Sequence, residues 1–388
     1  MTAPSPAALP ARRHDLDWLR AIAILALLFF HSAMPYAAES GWHIRNAQES
    51  ELLLELNFFV SRFRMALLFL IAGIAATFVL RRRGPLQFLR DRAKRLLVPL
   101  AFGIVVIVPP QIWYERLDTG ATTLDFWAWW PSVFTTGTYP QGNFSYHHLW
   151  FIFYLFIYGV LLLPAMAWAR TPRGAAALER ARGWIAAHGV HWLAVPIVTT
   201  YALLVQWYPG QQDIVHDVAM FLTYFGYFAA GWVLGTHEGA WARLVAGRHR
   251  AFTGAVACLI VINQVRWNDL DPAAGWSPVR IAWLALLGLN AWLWVVTLLG
   301  YGRTWLTREN ALLRWAREAS YPFYIIHQTV IVAVAYYVVR TDDTVMAKFT
   351  FTWLVSLVVT LALYEAFVRP YRPMRWLFGM PAVSGDRS

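Results

Sequence analysis

Arg20 and His31 are the first residues whose types and spacing could do chemistry. They stand eleven residues apart in an apolar run. On a helix, eleven steps of about 100° return to nearly the same face, with a rise of roughly 16 Å. Ionisable side chains in such runs are costly, so each is a candidate for function. Arg64, in Phe63-Arg64-Met65, lies roughly 10 Å below the outer end of the next apolar run, the depth inferred for His31. A histidine and an arginine facing one cavity would suit acyl transfer. The imidazole could deprotonate an attacking hydroxyl or first accept the acyl group, and the guanidinium could stabilise the oxyanion or hold a carboxylate. Plainer readings stand beside these. Arg20 also fits a snorkelling interfacial arginine. His31 fits a polar packing residue, and Arg64 a structural partner of Glu55 or of carbonyls.

Further polar residues fall where a membrane disfavours them. His327, in Ser-Tyr-Pro-Phe-Tyr-Ile-Ile-His, lies about 12 Å above the inner edge of its helix. Glu365 sits near the inner end of the last apolar run and could pair with Arg20 or the basic inner loop. His147 and His148 open the fourth run at its outer end. Arg92 and Arg95 share a helix face and would present two guanidinium groups to a phosphate-bearing ligand. Ordinary inner-face charge or lipid-headgroup contact explains them equally. There is no Walker loop, no dinucleotide fingerprint and no His-Glu-x-x-His spacing, and neighbouring histidines on a helix point about 100° apart. No metal is expected.

These residues need apolar helices to position them, and the composition supplies such helices. Of 388 residues, 59% are hydrophobic and only 14% charged. Ordinary globular domains carry about a quarter charged residues. A soluble fold could not hide 22 Trp, 17 Tyr and 24 Phe behind so few charges. One cysteine, Cys258, allows no internal disulfide. The net charge of +11 would suggest nucleic acid in a soluble protein, but here the arginines lie in short inter-helix loops. Membrane orientation explains them, and no nucleic-acid partner is expected.

A crossing helix needs about 20 apolar residues. Ten segments fit, at roughly 17–36, 57–80, 96–114, 149–169, 190–208, 217–236, 251–266, 279–300, 319–339 and 347–369. With the N-terminus in the cytoplasm, inner segments hold 24 Lys and Arg, and outer segments hold six. Arg81, Arg82 and Arg83 stand in the first inner loop, and thirteen of the 22 acidic residues fall outside. The expectation is an all-α polytopic integral membrane protein with about ten transmembrane helices and both termini cytoplasmic. Residues 1–15 read as a disordered N-terminus, 16–372 as one transmembrane domain and 373–388 as a tail. Outer loops run from about Ala37 to Leu56 and from about Glu115 to His148. The second carries Phe126, Trp127, Trp129, Trp130, Phe134, Tyr139, Phe144 and Tyr146, which fit an interfacial aromatic belt.

The chain resembles the membrane acyltransferase-3 family over most of its length. Leu16-Asp17-Trp18-Leu19-Arg20-Ala21-Ile22 followed by His31 matches that family's Arg-x10-His signature. Phe63-Arg64-Met65 with Leu68-Phe69-Leu70-Ile71-Ala72-Gly73, Arg92-Ala93-Lys94-Arg95 with Leu-Val-Pro, His148-Leu149-Trp150-Phe151, Tyr324-Ile-Ile-His327 and Tyr364-Glu365 follow in order. Where the family often has Pro-Leu-Phe-Phe and a Ser before the glycine, this chain has Ala66-Leu67-Leu68-Phe69 and Ala72. Gly41-Trp42-His43-Ile44, Asn57-Phe58-Phe59 and Ser61-Arg62-Phe63-Arg64-Met65 are similar to the glucans biosynthesis protein C branch.

The resemblance implies transfer of an acyl group, succinyl in that branch and acetyl in others, from cytoplasmic acyl-CoA to hydroxyls of a periplasmic glucan at the bacterial inner membrane. It implies His31 and Arg64 as catalytic. Arg20, Arg92, Arg95, His327 and Glu365 would hold the donor, and Trp42, His43, Arg62, His147, His148 and Trp150 the acceptor. Other classes keep their own signatures. A transporter or exporter would depend on ion gradients and consume no thioester. A non-catalytic partner in glycan synthesis would tolerate loss of His31. A membrane-bound O-acyltransferase of the other major superfamily would pair a His with an Asn, for which no matching context is found.

Overall fold

A computed structural model describes residues 12–38, 42–82, 84–208, 210, 213 and 216–381. The expected disordered start up to residue 11, Gly41, Arg83, the tail from 382 and the side chains of Arg81 and Arg82 lie outside the described residues. Among the described residues the chain is all-helical, with two isolated β-bridges and no strand. The helices are α1 His14–Ala33, α2 Glu51–Ser61, α3 Arg64–Arg82, α4 Pro85–Phe102, α5 Pro109–Asp118, α6 Phe126–Trp129, α7 Trp150–Trp168 and α8 Pro172–His188. They continue as α9 Ala194–Leu204, α10 Val218–Leu234, α11 Glu238–Trp267, α12 Pro278–Trp305, α13 Ala311–Val338, α14 Val345–Leu363 and α15 Arg372–Leu377. Helix α1 begins at His14, inside the stretch expected to be disordered, and α15 makes part of the expected tail helical.

Among the described residues, eight helical runs are long and apolar enough to cross a membrane. This is a membrane protein. Eight of the ten segments read from the sequence coincide with these runs. The fifth and sixth coincide with shorter apolar helices, Val190–Leu204 and Val218–Leu234. At 1.5 Å per residue these reach roughly 22 and 26 Å, short of the ~30 Å hydrocarbon core. Glycines with positive φ, Gly189 (113°) and Gly235 (48°), bound this pair. Helix α8 went unread because its apolar spacing is sparse. Its Arg182 donates to the carbonyls of Val233 (2.8 Å) and Trp232 (3.3 Å), satisfying the end of α10.

Side-chain caps start several long helices. Ser277 accepts from the Arg280 amide, Asn310 from Leu313 and Thr344 from Ala347. Pro85–Asp118 forms one long run with a π-helical turn at Gly103–Ile107, between Pro99 and Pro109. Helix α1 packs against α2, α3, α12, α13 and α14 and leaves Ile22 and Leu25 exposed. Helices α3 and α10 touch backbone to backbone. A Cβ on Gly73 would lie 2.0 Å from the Phe228 carbonyl oxygen, and one on Gly231 would lie 2.0 Å from that of Leu70. Between apolar helices in lipid, such close approach supplies the packing that solvent exclusion cannot.

Candidate active site

Helices α1 and α13 bring His31 and His327 together, far from the separate depths inferred from sequence. Nδ1 of His31 lies 3.0 Å from Nε2 of His327, and the rings stack at 5.2 Å. Nδ1 of His327 lies 2.6 Å from the Tyr324 carbonyl oxygen. A carbonyl only accepts, so Nδ1 of neutral His327 carries the proton and Nε2 offers a lone pair. Nδ1 of His31 then donates to it. The Nε2 lone pair of His31 is left for chemistry, and among the described residues no protein hydrogen bond reaches that atom. Arg64 lays its guanidinium over the Phe30 ring, 3.3 Å from the centroid, and its charge acts on His31. Glu55 pairs with Arg266 at 2.9 Å.

A second layer surrounds this pair. Nε2 of His148 donates to the Ile325 carbonyl at 3.0 Å, and Tyr324 donates its hydroxyl to the His148 carbonyl. Gln111 donates to Thr329 at 2.7 Å, and Gln328 donates to Gln111 at 3.1 Å. Trp42 stacks on His31 at 5.4 Å and lies 5.2 Å from the His43 ring. Nδ1 of His43 is hydrogen-bonded to the Glu115 carboxylate, which also accepts the Tyr139 hydroxyl at 3.2 Å. Burial and the neighbouring Glu115 carboxylate push the Tyr139 phenol up to about 12, so it remains a donor at neutral pH. His147 adopts a positive φ of 38°, and its ring lies 4.7 Å from both His43 and Tyr139. His147 and His148 thus serve opposite sides, as neighbours on one helical turn must. Among the described residues, no three His, Cys, Asp or Glu converge as metal ligands.

The family described as "Acyltransferase domain", acyltransferase-3, matches residues 13–365, which hold both of these layers. The chain belongs to the acyltransferase-3 family. Glucans biosynthesis protein C of Escherichia coli (strain SMS-3-5 / SECEC) is 27% identical over 150 residues. That match covers 38% of this chain and 37% of the relative. No solved structure matches.

At the other end of the acyltransferase-3 domain the arginines gather. Arg20 lies within electrostatic reach of Arg95 and Arg317, and Arg92 within reach of Arg95 and Tyr321. Tyr321 donates to the Arg95 carbonyl at 3.2 Å, which ties α13 to α4. Arg92 runs between the Phe88 and Phe228 rings, 5.3 Å from each centroid, and donates to the Leu155 carbonyl at 3.3 Å. Its Nε, like that of Arg20, is buried without a partner. Gly159 makes room for it, since a Cβ there would lie 3.1 Å from Cδ and Nε. Glu365 does not join Arg20. It binds Arg369 at 2.9 Å and Trp315 at 2.5 Å, while Arg20 pairs with Asp17 at 3.2 Å. A π-helical turn at Tyr364–Val368 and the nearer Arg369 explain this choice.

Two expected acceptor residues stand apart from the histidines. Trp150 is buried in the main core against Phe69, Tyr154 and Tyr224. Arg62 covers the Phe58 ring at 4.3 Å and lines a cavity of about 70 Å³ with Tyr201, Tyr224 and Tyr227. Of the outer-loop aromatics, Trp129 is buried, whereas Trp127, Phe134 and Phe144 are exposed. Gln111, Gln328 and Glu115 were missed by the sequence reading. The first two are uncharged polar residues in apolar helices, a signal that a search for ionisable groups passes over.

Proposed function

We propose that this protein is a transmembrane O-acyltransferase that moves an acyl group from cytoplasmic acyl-CoA to hydroxyls of a periplasmic glucan. The observation that carries the reading is the His31–His327 pair, whose hydrogen bonds leave Nε2 of His31 as the free base or nucleophile. It lies within a chain that matches the acyltransferase family from residue 13 to 365. Arg92 and Arg95, with Arg20, hold the phosphates of the donor at the inner face, where guanidinium groups recognise them. The pantetheine arm carries the thioester into the helices. Arg64 stabilises the oxyanion, or pairs with the distal carboxylate of a succinyl donor. In this reading the chain crosses a bacterial inner membrane ten times with both termini inside, and the donor binds at the inner face and the acceptor at the outer face. The arginine asymmetry of the loops supports that arrangement. Succinyl is the favoured acyl group, on the partial similarity to glucans biosynthesis protein C.

The test is release of free CoA by the purified protein. Succinyl-CoA and acetyl-CoA are each supplied with and without periplasmic glucan, to wild type and His31→Ala. Glucan-dependent release from succinyl-CoA that His31→Ala abolishes is expected. The same pattern with acetyl-CoA keeps the enzyme class and discards the succinyl assignment. Release that survives His31→Ala removes the catalytic assignment.

A further inference from the structure

His43 is built for a task that donor chemistry at His31 leaves open. Its side chain and that of Glu115 are 9% and 11% exposed. Glu115 is itself held by the Tyr139 hydroxyl at 3.2 Å and by Arg116, 3.7 Å from its other oxygen. A carboxylate only accepts, so Nδ1 of His43 carries the proton and Nε2 keeps its lone pair. A base oriented in this way, with a carboxylate to stabilise its cation, is the arrangement that activates hydroxyls. At Nε2 the partner is the Gln328 amide, 3.5 Å away. That contact is long for a hydrogen bond, and an entering hydroxyl can displace it.

His31 has the opposite surroundings. Its Nδ1 meets a neutral imidazole, and the nearby charge is that of Arg64. Among the described residues no carboxylate is hydrogen-bonded to His31, whereas Glu115 holds Nδ1 of His43. An acyl group on Nε2 of His31 becomes a neutral acyl-imidazole once the Nδ1 proton passes to His327. Trp42 contacts both histidines, stacked on His31 at 5.4 Å and 5.2 Å from the His43 ring.

We infer that His43, oriented by Glu115, takes the proton of the acceptor hydroxyl, while His31 carries the acyl group. The inference rests on the acyltransferase reading above. Nε2 of His31 attacks the thioester carbonyl, the C–S bond breaks, CoA leaves as thiolate, and the Nδ1 proton passes to His327. The acceptor oxygen then attacks the acyl-imidazole and gives its proton to Nε2 of His43. The acyl C–N bond breaks, and His31 recovers its proton from His327. His43 loses its proton to water and the thiolate gains one from water. The sum is thioester plus hydroxyl giving ester plus thiol.

The experiment uses the full-length protein with succinyl-CoA or acetyl-CoA and reads three quantities. These are the first-turnover burst of CoA without acceptor, glucan-dependent turnover, and hydroxamate formation when hydroxylamine replaces the glucan. Hydroxylamine needs no general base to attack an acyl-imidazole. In His43→Gln and in the milder Glu115→Gln, the burst and hydroxamate formation are expected within about threefold of wild type. Glucan-dependent turnover is expected to fall roughly 100-fold or more. His31→Ala should lose all three. A folded His43→Gln or Glu115→Gln protein, judged by its thermal unfolding in detergent, that loses the burst along with turnover overturns the division of roles. So does retained glucan turnover in both variants, or a wild type that turns over without any burst or hydroxamate. A wild type that consumes neither donor overturns the acyltransferase reading, and this inference with it.

Discussion

The histidine cluster and the arginine cluster meet the cost of buried polarity in opposite ways. Around His31 the rings are held through anchors that only accept, the carbonyls of Tyr324 and Ile325, and directions of donation follow from them. Around Arg92 the groups are like-charged guanidiniums, Asp17 is the carboxylate paired with Arg20, and two Nε atoms are buried without a partner. Rings held by anchors of fixed direction keep one geometry and suit chemistry, although Trp42 Nε1 and His147 Nε2 are buried there without a partner. Converging unsatisfied donors are stabilised by an anion and suit binding. Under the proposed function, that contrast predicts effects on rate at one end of the domain and on donor affinity at the other.

The sharpest test of that assignment is His31→Ala. It should lower kcat for acyl transfer by roughly 1000-fold or more, the range of a lost base or nucleophile. His327→Ala comes next, with kcat expected to fall roughly 10- to 100-fold and donor KM unchanged. His327→Gln should recover part of the loss, because its amide oxygen can accept from Nδ1 of His31. Equal losses in the two variants would show that His327 only fills space.

Arg92→Gln and Arg95→Gln should each raise donor KM about tenfold with kcat within about twofold, the signature of lost ground-state binding. The effect should shrink at high salt. An Arg92 variant that lowers kcat and spares KM would erase the division between the ends. Gly159→Ala presses a methyl group on the Arg92 stem and should raise donor KM a few-fold, less than removing the guanidinium.

The smallest effect belongs to Tyr139→Phe, which removes one hydrogen bond to Glu115 and should cost ~1 kcal/mol in thermal unfolding at neutral pH. Since the folded phenol is raised to about 12, its contribution is complete below its ordinary value and is lost as pH rises through about 12. A difference between wild type and variant that is unchanged across that rise would disconnect the phenol from Glu115.

Much of this was legible in the residues. The apolar runs marked ten segments, eight of which coincide with long spans and two with shorter helices, and Arg20, His31 and Arg64 stood out because lipid makes such residues costly. Other parts were not legible. The meeting of His31 with His327 joins positions 296 apart. His43 and Glu115 lie in different outer segments, 72 apart. Glu365 had several arginines within plausible reach, and only the local π-helical turn and the nearby Arg369 chose among them.

By itself the sequence determined that the protein is helical, crosses a membrane and carries costly polar residues in its spans. Those properties follow from transfer free energies that act residue by residue along the chain. The tertiary structure decided which polar residues face one another. That outcome depends on how helices cross, as at Gly73 and Gly231, and on where carbonyls lie relative to side chains 177 or more positions away, as Ile325 does to His148. Helix association in lipid rests on close packing and on satisfying buried donors, both of which are properties of surfaces that only the folded chain possesses.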